Sequence, residues 1–255
     1  GEYLEPYAFT RIENSDGSIY IDIDQVQLKR QVFKESTAWM LVDVLKGCVT
    51  SGVGTGSQAN FRGMEIAGKT GTNSDNVGVT FAGMSAYYSA AVWIGSDNYK
   101  PLASNATGGN AAAPLWSALM EAVHAATGCT QNRAILTKSA SAVGLTRASC
   151  CGVSGMMPTS ACEHDANGYG INTDYYLVGT EPDTPCNMHR SLTLCTRSGM
   201  RATSNCRSTT VRGVIYIPAG HPLRMADDMA IVRQYFHGAS TSEEEPGVGY
   251  CNRCG

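Results

Sequence analysis

Cysteine divides this chain in two. Ten cysteines occur in 255 residues, and nine lie at or after position 129: Cys129, Cys150, Cys151, Cys162, Cys186, Cys195, Cys206, Cys251 and Cys254. Within that half a segment is duplicated. Cys151-Gly152-Val153-Ser154-Gly155-Met156-Met157-Pro158-Thr159-Ser160-Ala161-Cys162 matches Cys195-Thr196-Arg197-Ser198-Gly199-Met200-Arg201-Ala202-Thr203-Ser204-Asn205-Cys206. Both read C-x2-S-G-M-x-[PA]-T-S-x-C, and each copy ends in C-x2-[HC], at Cys186–His189 and at Cys251–Cys254. Identical cysteine spacing identifies a small module present twice. The second copy carries a long insertion before Cys251, with a short helix expected over Met229–Phe236 and an acidic run Glu243-Glu244-Glu245.

Modules this short bury too little apolar surface to fold unaided, so their cysteines must act as staples. C-x2-H and C-x2-C are zinc-like spacings, but tandem metal sites would normally repeat all four ligands, and these copies differ at the last. The expectation is therefore disulfides, Cys151–Cys162 and Cys195–Cys206, with no metal and no cofactor. Closing a loop of about 12 residues stabilises by roughly 3 kcal/mol in the chain-entropy model. Cys150 could exchange roles with Cys151, while Cys186, Cys251 and Cys254 have no forced partners. Cys48, near the end of a helix, is expected free and buried.

The first half reads as mixed helix and strand. Alternation over Tyr7–Ile12 and Ile19–Ile23 around Asn14-Ser15-Asp16-Gly17 predicts a β-hairpin. Ala38, Leu41, Val42, Leu45 and Val49 lie on one helical face, with Ser36 as N-cap and Gly52 as stop. Gly52-Val53-Gly54-Thr55-Gly56 lacks the strand, helix and Lys-Ser/Thr of a phosphate cradle and reads as a flexible link. Residues 73–80 form a turn, strands follow at Phe81–Ala86 and Tyr88–Gly95, and Trp93 is expected in the core. Pro114 opens a helix whose buried side is Leu115, Leu119, Ala122 and Val123, leaving His124 on the surface.

Between the two helices stands Met64-Glu65-Ile66-Ala67-Gly68-Lys69-Thr70-Gly71-Thr72, an apolar run entering Lys-Thr-Gly-Thr. As an edge strand it offers a lysine and two hydroxyls as donors, and Gly71 permits close backbone approach. That suits an extended peptide bearing a carboxylate; a lysine guarding an edge against aggregation is the plainer alternative.

With Leu45–Gly56 before it, and Phe81-Ala82-Gly83 and Tyr88–Asn98 after it, this segment resembles the transpeptidase domain of class A penicillin-binding proteins. That family carries S-x-x-K, S-x-N and K-T-G in order. The resemblance covers about residues 1–127, and similar Cys-rich tails follow the domain in some class A enzymes. It implies an α+β fold: a serine β-lactamase/transpeptidase-like antiparallel sheet flanked by helices, followed by small Cys-rich repeat modules. The expected organisation is 1–129 transpeptidase portion, 130–147 polar connector, 148–190 first module and 191–255 second module.

No S-x-x-K occurs in the 255 residues, and Ser74-Asp75-Asn76 and Ser96-Asp97-Asn98 both follow the K-T-G, out of family order. The nucleophilic serine is therefore expected upstream of Gly1, and this chain alone is expected to be inactive. What the resemblance implies is D,D-transpeptidation through a serine acyl-enzyme, with peptidoglycan stem peptides and β-lactams as ligands and an upstream glycosyltransferase domain. Lys69 and Thr72 would be catalytic, and Thr70, Gly71 and Thr72 would hold substrate. Alternatives are a D,D-carboxypeptidase or β-lactamase of the same fold, or a non-catalytic β-lactam- or wall-binding module. The cysteines and the family place it at the extracytoplasmic face of the cell membrane, any anchor lying upstream. Net charge of −3 gives no nucleic-acid footprint, and no apolar run is long enough to span a bilayer. Charged residues are only 16%, below the usual ~25%.

Overall fold

The structure, a computed structural model, describes residues 1–165, 167–224 and 248–254. The helix expected at Met229–Phe236 and the acidic Glu243–Glu245 lie outside them. The chain forms two compact units, Gly1–Val143 and Gly144–Gly255, both α+β with antiparallel strand pairing.

Unit 1 opens with two small antiparallel pairs. Strand β1 (Glu2–Leu4) pairs with β4 (Lys29–Gln31), and β2 (Arg11–Glu13) pairs with β3 (Ile19–Asp22). The predicted Asp-Gly turn joins β2 and β3: Asn14 N donates to Ser18 O at 2.8 Å, and Gly17 takes a left-handed φ of 82°, which glycine adopts without a Cβ penalty. Asp16 Oδ1 accepts from the Ser18 hydroxyl and N–H, and these hydrogen bonds hold its carboxyl below the usual range. One turn, α1 (Ile23–Val26), is capped by Asp22.

Helix α2 spans Glu35–Thr50, with Lys34 rather than Ser36 as N-cap, and Ser36, Trp39 and Val49 buried. Leu41, expected on the buried face, is exposed. Three strands follow in spatial order: β5 (Ala67–Thr72), β6 (Gly78–Met84) and β7 (Ser89–Gly95). β5 is thus an edge strand. β6 begins at Gly78, inside the segment read as a turn, because Val79 and Thr80 pair with Thr72 and Gly71. Helix α3 (Ala113–Thr127) enters through a π-helical turn at Gly108–Ala112, where Thr107 and Asn110 form a capping box.

The core of unit 1 joins Val49, Phe61, Met64, Ile66, Val79, Phe81, Trp116 and Met120. Three expectations fail here. The buried face of α3 is Trp116, Met120 and His124, while Leu115 and Leu119 are exposed. Two faces one residue apart both fit a 3.6-residue period, and the indole, stacked edge-on at 5.0 Å to Phe81, selects one. His124 is therefore buried, not on the surface: its Nδ1 lies 2.7 Å from Met120 O and its Nε2 2.8 Å from Ser85 Oγ, among Phe61, Tyr87 and Tyr88. Trp93 is exposed rather than in the core. It lies across Gly78 and Gly95, either of whose Cβ positions would collide with its ring.

Residues 130–143, expected as part of a connector, belong to unit 1 and are hydrogen-bonded within it. Trp39 Nε1 donates to Lys138 O at 2.9 Å, Glu65 N to Asn132 Oδ1 at 2.8 Å and Ile135 N to Glu65 Oε1 at 2.8 Å.

Unit 2 contains two hairpin-like pairs. β8 (Leu145–Cys151) pairs with β9 (Ile171–Leu177), and β10 (His189–Cys195) pairs with β11 (Thr209–Ile215). A single turn, α4 (Ser160–Glu163), carries Cys162. The turn after each first-strand cysteine is the same in both copies. Cys151 N donates to Met156 O and Cys195 N to Met200 O, both at 2.8 Å, while Gly155 and Gly199 each take φ 70°. Both first-strand cysteines are thus set by an S-G-M turn that needs a glycine at one place.

Candidate functional site

The Lys-Thr-Gly-Thr segment forms the second half of β5. Its residues point alternately to the two faces, so Thr70 and Thr72 share one side and Lys69 and Gly71 the other. Thr70 and Thr72 line a groove of about 400 Å³ with Thr55, Ser57, Gln58, Thr107, Gly109 and Asn110. Thr55 Oγ1 and Thr70 Oγ1 are hydrogen-bonded at 2.7 Å, and Thr72 Oγ1 accepts from Gly108 N at 3.0 Å. Lys69 is exposed, and its Nζ curls back to Thr70 O at 3.1 Å and Thr70 Oγ1 at 3.3 Å. The wall is hydroxyl-rich, with one ammonium at its edge.

Sequence reasoning missed the opposite wall. Gly52–Gly56 is not a flexible link: Gly54 N donates to Ser51 O at 2.9 Å and Gly56 N to Cys48 O at 3.0 Å, and this fold-back delivers Thr55 to the groove. The Thr107/Asn110 capping box does the same from the start of α3. A Thr-x-x-Asn ahead of a Pro-initiated helix was the available signal. Cys48 is free, as expected, but half-buried, its Sγ 3.6 Å from Thr55 Oγ1. Both Ser-Asp-Asn triplets fall in connections flanking β6 and β7, and none of their residues lines the groove.

Gly71 has a reason internal to the chain. A Cβ there would sit inside 3.0 Å of Thr80 Oγ1, on the directly paired residue of β6. From the other side the backbone of Gly71 is approached by Gly108, whose own Cβ would lie 2.7 Å from Gly71 O.

In unit 2 the expected Cys151–Cys162 and Cys195–Cys206 bonds are not formed, and the cysteines are grouped differently. All ten cysteines are free. Cys151 and Cys162 do not pair with each other; they converge with Cys186 and His189. Cys195 and Cys206 likewise converge with Cys251 and Cys254. Within each foursome all ligand atoms lie within 4.8 Å of one another. Cys186, Cys251 and Cys254 thus acquire partners that sequence could not assign. Cys150 does not substitute for Cys151, because adjacent strand residues face opposite sides; it lies beside Tyr176, whose hydroxyl its contact pushes up to about 12.

Donors surround the sulfurs. Val153 N and Ser154 N each donate to Cys151 Sγ at 3.4 Å, Ser154 Oγ to Cys186 Sγ at 3.3 Å and Thr159 N to Cys162 Sγ at 3.4 Å. The second copy repeats two of these, with Ser198 Oγ to Cys251 Sγ at 3.2 Å and Thr203 N to Cys206 Sγ at 3.4 Å. Burial works to raise the Cys195 thiol, but the Ser198 hydroxyl and the N–H groups of Arg197 and Ser198 outweigh it and hold it at about 6. Hydrogen bonding to Cys195 pushes Cys254 up to about 12, and burial pushes Cys186 up to about 11. Burial also lowers the His189 imidazole, partly offset by Asp165, and so favours its neutral form.

Comparison with known proteins follows the same division. Residues 1–121 match the penicillin binding protein transpeptidase domain, and residues 142–191 match the penicillin-binding protein 1A, C-terminal domain. Penicillin-binding protein 1A of Clostridium tetani is 34% identical over 75% of this chain and 23% of its own length. That of Clostridium botulinum strain Langeland is 31% identical over 85% of this chain and 25% of its own. A crystal structure of penicillin-binding protein 1A from Haemophilus influenzae superposes with a TM-score of 0.49 at 17% identity, covering 72% of this chain and 30% of the other. The chain spans about a quarter of the length of the curated relatives it matches. With transpeptidase sequence followed in order by a 1A-type C-terminal domain, the chain belongs to the class A penicillin-binding protein family.

Proposed function

We propose that unit 1 supplies the K-T-G wall of a D,D-transpeptidase site in a longer peptidoglycan synthase. The observation that carries this reading is the groove beside β5, where an exposed edge strand presents Thr70 and Thr72 opposite Thr55, Ser57 and Asn110. A stem peptide would lie antiparallel along β5 by strand addition, its backbone meeting the unpaired edge and its terminal carboxylate meeting hydroxyls and the Lys69 ammonium.

In the reaction implied by the family, a serine hydroxyl attacks the carbonyl of the D-Ala–D-Ala bond. The terminal D-Ala leaves with a proton on its amine, and an amine of a neighbouring stem peptide then resolves the ester. Lys69 places positive charge where the substrate carboxylate binds and tunes proton transfer between serine hydroxyls. Thr70 holds that hydrogen-bond network through Thr55. Thr72 binds the carboxylate through its hydroxyl, and its backbone N–H supplies one oxyanion donor; removing such a donor typically costs ~2.7–4 kcal/mol. Gly71 gives the substrate backbone clearance in addition to accommodating Thr80. The serine and its lysine, absent from these 255 residues, belong to a preceding segment of the longer polypeptide. The same reading places a glycosyltransferase domain and any anchor there, and the site at the extracytoplasmic face of the membrane.

The test is acylation of the longer protein by a fluorescent penicillin. Wild type labels, Lys69→Ala retains its fold and does not label, and the 255-residue chain alone does not label. Unchanged labelling of a folded Lys69→Ala protein removes Lys69 from the site.

A further inference from the structure

We propose that unit 2 is a tandem structural zinc domain, with one Zn²⁺ held by Cys151, Cys162, Cys186 and His189 and a second by Cys195, Cys206, Cys251 and Cys254. Four observations carry it.

The first is size. In a tetrahedral site with Zn–S near 2.3 Å and Zn–N near 2.0–2.1 Å, neighbouring ligand atoms are about 3.6–3.8 Å apart. Cys195 Sγ lies 3.5 Å from Cys254 Sγ, and His189 Nδ1 lies 3.2 Å from Cys151 Sγ and 3.6 Å from Cys186 Sγ. A disulfide needs about 2.05 Å between two sulfurs and leaves the other two ligands purposeless.

The second is the pattern of donors. Backbone N–H and serine hydroxyl groups point at Cys151, Cys162, Cys186, Cys206 and Cys251. Such donors stabilise thiolate, the form that ligates metal. This accounts for the S-G-M and T-S-x-C parts of the duplicated motif, which a disulfide would not require.

The third is His189. Its Nε2 is the one buried side-chain nitrogen or oxygen without a hydrogen-bond partner among the described residues, and it faces Asp165 Oδ1 at 3.8 Å. Ligation through Nδ1 leaves the proton on Nε2, where the buried carboxylate can orient it; carboxylates behind ligating histidines do this. Asp165 is held in turn by Tyr169 N at 2.7 Å.

The fourth is the difference between the copies. His189 stands where Cys254 stands in the second, and this had favoured disulfides. Histidine and cysteine are interchangeable as zinc ligands and not as halves of a disulfide. The ligand sets are thus Cys₃His and Cys₄, both closed, which marks structural rather than catalytic zinc, and neither suits a hard cation. Strand β10 carries His189 at one end and Cys195 at the other. At about 3.3 Å per residue the sites lie about 20 Å apart, so each binds its own ion. Among the described residues the buried cluster around the first site is half cysteine: Cys151, Cys162 and Cys186, with Met188, Ile215 and Ile217 the rest.

The experiment is metal analysis of the 255-residue chain purified without reductant, with thiol alkylation and peptide mapping under non-reducing conditions. Two zinc ions per chain and no Cys151–Cys162 or Cys195–Cys206 linked peptide are expected. Cys162→Ser and Cys206→Ser each lower the stoichiometry to one. Replacement by Co²⁺ in the wild type gives the d–d bands of tetrahedral cobalt with thiolate charge transfer, a readout that survives failure of a variant to fold. Asp165→Asn keeps two sites but weakens the first about 10–100-fold in chelator competition, leaving the second unchanged. Less than one zinc per chain with either disulfide-linked peptide overturns the proposal, and stoichiometric iron in place of zinc overturns the choice of metal.

Discussion

Replacing Gly71 by alanine separates two reasons for a glycine in Lys-Thr-Gly-Thr. A Cβ at Gly71 would meet Thr80 Oγ1 inside 3.0 Å, and the next atom, Thr80 Cβ, is 3.7 Å away. The obstacle is thus one hydroxyl on a β-branched, rotationally stiff side chain. Overpacking of this kind costs about 1–3 kcal/mol, against a gain of about 0.4–1 kcal/mol from the less flexible unfolded chain. Gly71→Ala should therefore destabilise unit 1 by about 1 kcal/mol, or about 2–4 °C in Tm for a unit of this size. Thr80→Ala removes the obstacle, so the double variant should recover, with a coupling of about 1–2 kcal/mol. All three tryptophans, Trp39, Trp93 and Trp116, lie in unit 1, so thermal unfolding followed by indole fluorescence reports that unit alone. Additive losses, with coupling below about 0.5 kcal/mol, would refute the steric account. In the longer protein the same pair divides packing from catalysis: recovered stability without recovered penicillin acylation means that Gly71 also clears the substrate.

Other outcomes follow from the same contacts. Ser85→Ala leaves His124 Nε2 buried without a partner and should cost about 1–3 kcal/mol, read by the same fluorescence melt; an unchanged melt would mean that the hydroxyl contributes nothing. Thr55→Val breaks the Thr55–Thr70 hydrogen bond in the groove and should slow penicillin acylation of the longer protein while changing the unfolding free energy by no more than about 1 kcal/mol; unchanged kinetics would exclude the Gly-rich loop from the site. Ser198→Ala removes the donor to Cys251 Sγ and should weaken the second metal site about 10-fold in chelator competition, with the Cys₃His site unaffected; equal weakening of both would show that the modules are not independent.

The K-T-G strand, the α+β character, the Asp-Gly hairpin turn and the duplication of the cysteine motif are all legible along the chain. Each is local: periodicity, turn chemistry and identical spacing are written along the chain. Which faces meet is settled only by long-range packing. The α3 helix offers two apolar stripes one residue apart, and only the space beside Phe81 selects Trp116, Met120 and His124. The Gly-rich loop reads as slack until its backbone bonds to the end of α2 bring Thr55 to Thr70. The cysteines carry the plainest lesson. Spacing within a copy suggested that neighbours in sequence pair, but pairing in space joins the end of each module to its beginning, so Cys186 and His189 meet Cys151, and Cys254 meets Cys195. Such closure depends on how the second strand of each pair returns beside the first, and no local pattern encodes that return.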